Sequence, residues 1–300
     1  MTRRILLLAL TSSAVFAADP NLLKMVPENA RVVVGLDADR AVNSPFGRFI
    51  LSQMSDDEGG LAKFVALTGF DPRRDLREAI FYGTGTGKSN GVFVAKGVFD
   101  ISKIVTAAKS EGGSTLVYQG FNVITGKNPD QEWIAFLDST LAVGGAQESV
   151  KAAIARRNSG SINATYRDLS SRFDAWMYTV EPAALGKAMP GKTGGNNPAE
   201  TFKSVTAAQG GLRLGNSVDV DALATARSDK DAVALHDVIK FVAGMIQLKS
   251  DDASAAEVAS LLESMKLSVS GNQVSLKLSI PETQIEQLFQ RSNRRQVAQR

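Results

Sequence analysis

At 300 residues, with 44% hydrophobic and 22% charged side chains, the chain has room for one large or two ordinary domains and is too apolar to be disordered. The absence of cysteine excludes disulfides, zinc–thiolate sites, a lipidated amino-terminal cysteine and cysteine catalysis. The formal charge of +3 includes Arg3, Arg4, Arg291, Arg294, Arg295 and Arg300; without these six, residues 18–290 carry −3, which is no footprint for nucleic acid.

Residues 1–17 read as a cleaved export signal. Arg3 and Arg4 give a positive start, Ile5 to Leu10 an apolar stretch, and Val15 and Ala17 stand three and one places before the expected cut, with a cut one residue later as the alternative. The apolar run is too short to span a bilayer, and no second run is long enough, so no integral membrane anchor is expected. The expected compartment is the periplasm, with secretion beyond the cell as the alternative.

Val32 to Leu36 is a short β-branched run, expected as a buried strand. Ser44-Pro45 suits an N-cap and first helical position, with Phe46, Phe49 and Ile50 on the apolar side. Leu61 to Leu67 predicts a helix ending at Gly69. Ala79 to Tyr82 and Val92 to Ala95 flank a glycine-rich turn and predict a hairpin. Asp100 caps a helix whose stripe is Ile101, Ile104, Val105 and Ala108. Strands follow at 116–119, 121–124, 133–137 and 141–143, then a helix carrying Val150, Ala153 and Ile154.

A second pass begins at Ala175 to Val180. Glu181-Pro182 opens a short helix, and residues 190–198 read as a loop. A hairpin pairs Val205–Leu214 with Val218–Thr225. A long helix carries Leu235, Val238, Ile239, Val242 and Ile246. A helical piece at 258–262 precedes a hairpin across Gly271-Asn272, and Pro281 is expected to open a last helix. The repeated order predicts a duplication: a first α+β half at 18–163, a second at 164–290, and a basic tail at 291–300. The expected fold class is α+β, with largely antiparallel sheets and helices packed on one face.

Two motifs carry a further likeness. Pro27-Glu28-Asn29-Ala30-Arg31-Val32-Val33 follows soon after the expected cut, and Ser44-Pro45-Phe46-Gly47 opens a helix. With the leader and the lack of cysteine, the chain resembles a loose group of exported bacterial proteins of unknown function. That resemblance implies a fold and an address, with no catalytic residues to transfer and no activity; no cofactor is expected from the motifs either.

Each pattern that evokes chemistry has a structural competitor. Gly83 to Ser89 imitates a phosphate loop, but Tyr82 stands where its first glycine belongs, and a strand follows where the loop needs a helix. Gly87-Lys88-Ser89-Asn90-Gly91 has the spacing of a nucleophile elbow, which also needs a helix after the serine. His236, the sole histidine, follows in hydrolase order but sits one step off the apolar stripe. The acids Asp37/Asp39, Asp219/Asp221, Asp56–Glu58 and Asp251/Asp252 lack an EF-hand pattern and are expected as solvated edges, so no metal site is expected. Trp133, Trp176, Tyr178 and Phe93 are candidates for an apolar groove, with core packing as the competing role. The tail arginines are expected to form a solvated helix end, with weak contact to anionic lipid or polymer as the alternative.

The expectation is an exported, non-catalytic binding or envelope-associated scaffold protein, with an envelope protein or polymer as partner. One alternative is an exported serine hydrolase using Ser89 and His236. The other is a carrier of an apolar ligand in a cleft between sheet and helices.

Overall fold

A computed structural model describes residues 18–53, 60–85, 91–126, 132–182, 203–248 and 264–287. In chain order it contains α1 (Pro20–Met25), β1 (Val32–Asp37), α2 (Ala38–Asn43), α3 (Pro45–Gln53), α4 (Leu61–Thr68), α5 (Pro72–Asp75), β2 (Leu76–Gly83) and β3 (Gly91–Gly97). Then come α6 (Ile101–Ser110), β4 (Ser114–Tyr118), β5 (Phe121–Thr125), β6 (Glu132–Asp138), β7 (Leu141–Ala146), α7 (Gln147–Ser159) and α8 (Ala164–Arg172). The remainder is β8 (Ala175–Thr179), β9 (Val205–Leu214), β10 (Ser217–Ala226), α9 (Asp229–Leu248), β11 (Lys266–Ser270) and β12 (Gln273–Pro281).

Local signals set several of these boundaries. Ser44 Oγ accepts the Gly47 N–H at 2.8 Å, and Asp100 Oδ1 accepts the Lys103 N–H at 3.0 Å, so both caps satisfy helix-end donors. Gly69 takes φ 73°, a left-handed C-cap that costs glycine little, and donates to the Val65 carbonyl. Four helices lie outside the sequence expectation: α1, α2, α5 and α8. Asp19-Pro20 starts α1, whose Leu22, Leu23 and Met25 are fully buried, and Asn163 caps α8 in the segment read as a boundary. Pro281 ends β12 opposite Ser217 instead of opening a helix, and helix begins one residue later.

All twelve strands join one antiparallel sheet, in the order β11-β12-β10-β9-β8-β1-β2-β3-β7-β6-β5-β4. It runs across the expected boundary between the halves, because β1 pairs with β8 at its centre. The pairing fixes which side chains share a face. Val33, Ile80, Tyr82, Val94, Val143, Ala135, Val123 and Trp176 form the core face, covered by α1, α7 and α8. On the opposite face, Ile124, Phe136 and Ala142 lie under α6, while Val274, Leu267 and Val269 lie under α9. The helices thus divide between both faces. The reason is visible in β6, where Ala135-Phe136-Leu137 is apolar on both sides and is buried on each.

Trp176 shows how tightly the core face is built. It is 4% exposed and lies over Gly35, its register partner; an added Cβ at Gly35 would sit 2.2 Å from Trp176 Cε2. Gly35→Ala is therefore expected to cost about 1–3 kcal/mol, an overpacking penalty. Urea unfolding checks it: an unchanged midpoint contradicts the packing described.

Tyr166 packs face to face with Trp176 at 6.0 Å and edge-on to Tyr178 at 5.6 Å. Burial, aided by Tyr178, pushes its phenol up to about 12 from its ordinary 10.0. The folded state thus holds this proton more tightly than the unfolded chain. The resulting stability, roughly 2–3 kcal/mol, is fully present below pH 10 and is lost as pH rises through about 12. Alkaline unfolding followed by circular dichroism should show a loss across this window that shrinks in Tyr166→Phe. Superimposable profiles would refute it.

Candidate functional site: an apolar cleft on the sheet

In the second half, β12 alternates apolar and polar residues throughout, and β10 does so except at Leu223. Val218, Val220, Ala222 and Ala224 of β10 and Val274, Leu276 and Leu278 of β12 face one way. Asp219, Asp221, Ser275, Lys277 and Ser279 face the other, as period-two geometry requires. The polar side is paired within itself: Arg213 Nη1 lies 3.3 Å from Asp221 Oδ2, and Ser279 Oγ donates to Asp219 Oδ1 at 2.6 Å. Hydrogen bonds from Ser279 and Ser217, with Arg213 nearby, hold the Asp219 carboxyl below its ordinary range against the opposing effect of burial.

The apolar side continues across the whole sheet. Directly opposed residues run Leu267, Leu276, Ala222, Gly210, Met177, Val34, Phe81, Phe93, Gly144 and Ile134. The ends of this row are covered by α9 and α6. Between them Phe81 is 48% exposed, Val34 41%, Phe93 39% and Ile134 38%, a contiguous apolar surface at mid-sheet.

Beside α9 this surface deepens into an open cleft of about 540 Å³. Ala175, Ala208, Gly210, Ala222 and Ala224 make a low floor, and Val34, Met177, Leu212, Val220, Leu276, Leu235 and Ile239 rise around it. The cause is side-chain size: alanine and glycine at adjacent register positions leave space that leucine would fill. Gln209 and Asp221 also border the cleft, but by register their side chains belong to the polar face. The lining is nearly all carbon and offers no buried charge for a polar ligand to meet. The volume falls in the ordinary range for small-molecule sites.

The candidates drawn from sequence fall elsewhere. Ser89 lies outside the described residues, as do Asp56–Glu58, Asp251/Asp252, residues 183–202, the piece at 258–262 and the tail. The described flanks of the glycine-rich turn are antiparallel β2 and β3, so neither a phosphate loop nor a nucleophile elbow has its required helix there. His236 stands on α9 beside Leu235, with Nδ1 3.0 Å from Asp237 Oδ1. Asp37 pairs with Arg40 at 2.6 Å and Asp39 with Arg77 at 2.6 Å. Among the described residues no three acidic or histidine side chains converge to hold a metal. Trp133 and Trp176 are core and Tyr178 packs against it, while Phe93 alone of the proposed aromatics faces the open side. The small residues of the floor were missed. Their signal was the Ala-Gly content of strands that otherwise alternate cleanly.

No known family matches the chain, and no curated protein matches it. Among solved structures it is similar to crystal form I of TP0453, with TM-score 0.50 and 9% identity over 91% of this chain and 98% of that one. At that identity the likeness concerns the fold alone.

Proposed function

We propose that this is an exported, non-catalytic binding protein that takes an apolar molecule, or the hydrocarbon part of a larger one, into the cleft between the mid-sheet and α9. The observation that carries this reading is the cleft itself: about 540 Å³, open at its mouth, with a floor of small residues and no charged side chain turned inward. A hydrocarbon needs no polar partner and gains from every methylene withdrawn from water, about 0.8 kcal/mol each. An ionic or sugar ligand would have to shed water there without compensation. The export reading rests on residues 1–17. Among the described residues no helix is long and apolar enough to cross a membrane.

The order of elements also supports descent from a duplicated unit. Read outward from the β1–β8 pair, each side has three meandering strands, then a helix over the same face, then strands returning from the edge. The cleft lies on the side with fewer returning strands.

The test is to purify the protein from its native envelope fraction without detergent and identify bound small molecules by mass spectrometry. A stoichiometric apolar compound is expected. A ligand-free protein that also fails to take up added hydrocarbon chains would defeat the reading.

A further inference from the structure

The stretch just after the expected export cut is anchored with unusual care. The Ala18 N–H donates to Ser170 Oγ at 3.2 Å, and the hydroxyl of Ser170, a residue 2% exposed, donates in turn to the Arg167 carbonyl at 3.1 Å. The Asp19 N–H donates to Glu78 Oε2 at 2.8 Å, and Asp19 Oδ2 takes a hydrogen bond from Lys96 Nζ at 2.6 Å. Ala18 itself lines a small cavity of about 10 Å³ with Asp37, Glu78 and Ser170.

Charge around this point is out of balance. Lys96 is engaged by Asp19, and Arg40 is held between Asp37 at 2.6 Å and Asp174 at 3.2 Å. No cation contacts the Glu78 carboxylate directly among the described residues. Burial pushes that carboxyl above its ordinary range; Asp37 and Asp19 add to this, while the Asp19 N–H and Lys96 oppose it.

We infer that this pocket is the seat of the mature amino terminus, so that the Ala18 α-ammonium is held by Ser170 Oγ and supplies the missing counter-charge to Glu78. This rests on the export reading. An endopeptidase hydrolyses the Ala17–Ala18 amide with one water: the C–N bond breaks, Ala17 gains a carboxylate oxygen, and the nitrogen of Ala18 gains protons to become an ammonium. An amide at that position has a single N–H, which Ser170 uses. An ammonium has three, leaving two for the cavity that Glu78 and Asp37 share. Removal of the leader thereby adds a contact that the precursor lacks.

The test compares mature chains that begin at Ala18 with a free amine, with an acetylated amine, and with a Gly-Ser extension, each with Glu78 and with Glu78→Gln. Blocking the amine is expected to lower the melting temperature by about 2–4 °C with Glu78 present, and by much less in Glu78→Gln. Ser170→Ala, a smaller perturbation, should also reduce the effect of blocking, and serves if Glu78→Gln does not fold. Equal melting with free and blocked amines, or an equal loss in both backgrounds, overturns the ion pair. Intact mass of the exported protein should begin at Ala18. A protein that keeps residues 1–17 overturns the export reading and the processing step with it. A protein cut elsewhere leaves export standing and overturns this assignment alone.

Discussion

Replacing Leu22 and Leu23 together by alanine is expected to leave the protein unfolded, or close to it, at room temperature. Both side chains are essentially unexposed, at 0% and 1%, and they join the main core under α1 with Met25 and Val26. A buried Leu→Ala change costs about 2–5 kcal/mol, because the lost transfer energy is joined by the cavity left behind. Two such changes approach the whole stability of an ordinary domain, about 5–15 kcal/mol, even allowing for coupling between neighbours. The short α1 has only 6 residues and contributes through packing, not through helix propensity. Loss of the cooperative thermal transition in the double variant, with a clear drop in Leu23→Ala alone, is the expected result. A double variant that melts within a few degrees of the parent would show that α1 is not part of the core.

Met177→Glu is expected to leave the fold intact and remove ligand binding. Met177 is half-buried on the open face, opposite Val34 and Gly210, so a carboxylate there can reach water in the empty protein. With hydrocarbon in the cleft that water is displaced and the charge has no partner. A penalty of about 3 kcal/mol, roughly a hundredfold in Kd, follows. Displacement of a bound hydrocarbon chain, with circular dichroism as a control for folding, checks it. Unchanged affinity in a folded variant would place the ligand elsewhere.

Much of this architecture was legible because local chemistry and global fold agree. The cap at Asp100, the stop at Gly69, the hairpin across Gly271-Asn272 and the alternation in β10 and β12 each have a short-range cause. The α1 helix escaped because Pro20–Met25 is too short for a periodic signal; only Asp19-Pro20 marks its start. The two-sided placement of helices was hidden because a run such as Val92 to Ala95 does not say which face is covered by what. The cleft was harder still. It arises where Ala208, Gly210 and Ala222 become neighbours, and that depends on the register of β9 with β10, fixed by pairing between strands. Ser89 and His236 drew attention because their spacing matched a motif, whereas the lining of the cleft contains no reactive group to draw it.

The most direct test is fluorescence titration with a conjugated polyene fatty acid, which becomes emissive in an apolar site. Saturable binding at one molecule per chain, displaced by hexadecanoate and lost in Met177→Glu, is the predicted result. A folded protein that shows no saturable signal, or one that binds equally well after Met177→Glu, would contradict the assignment of this cleft as the site of function.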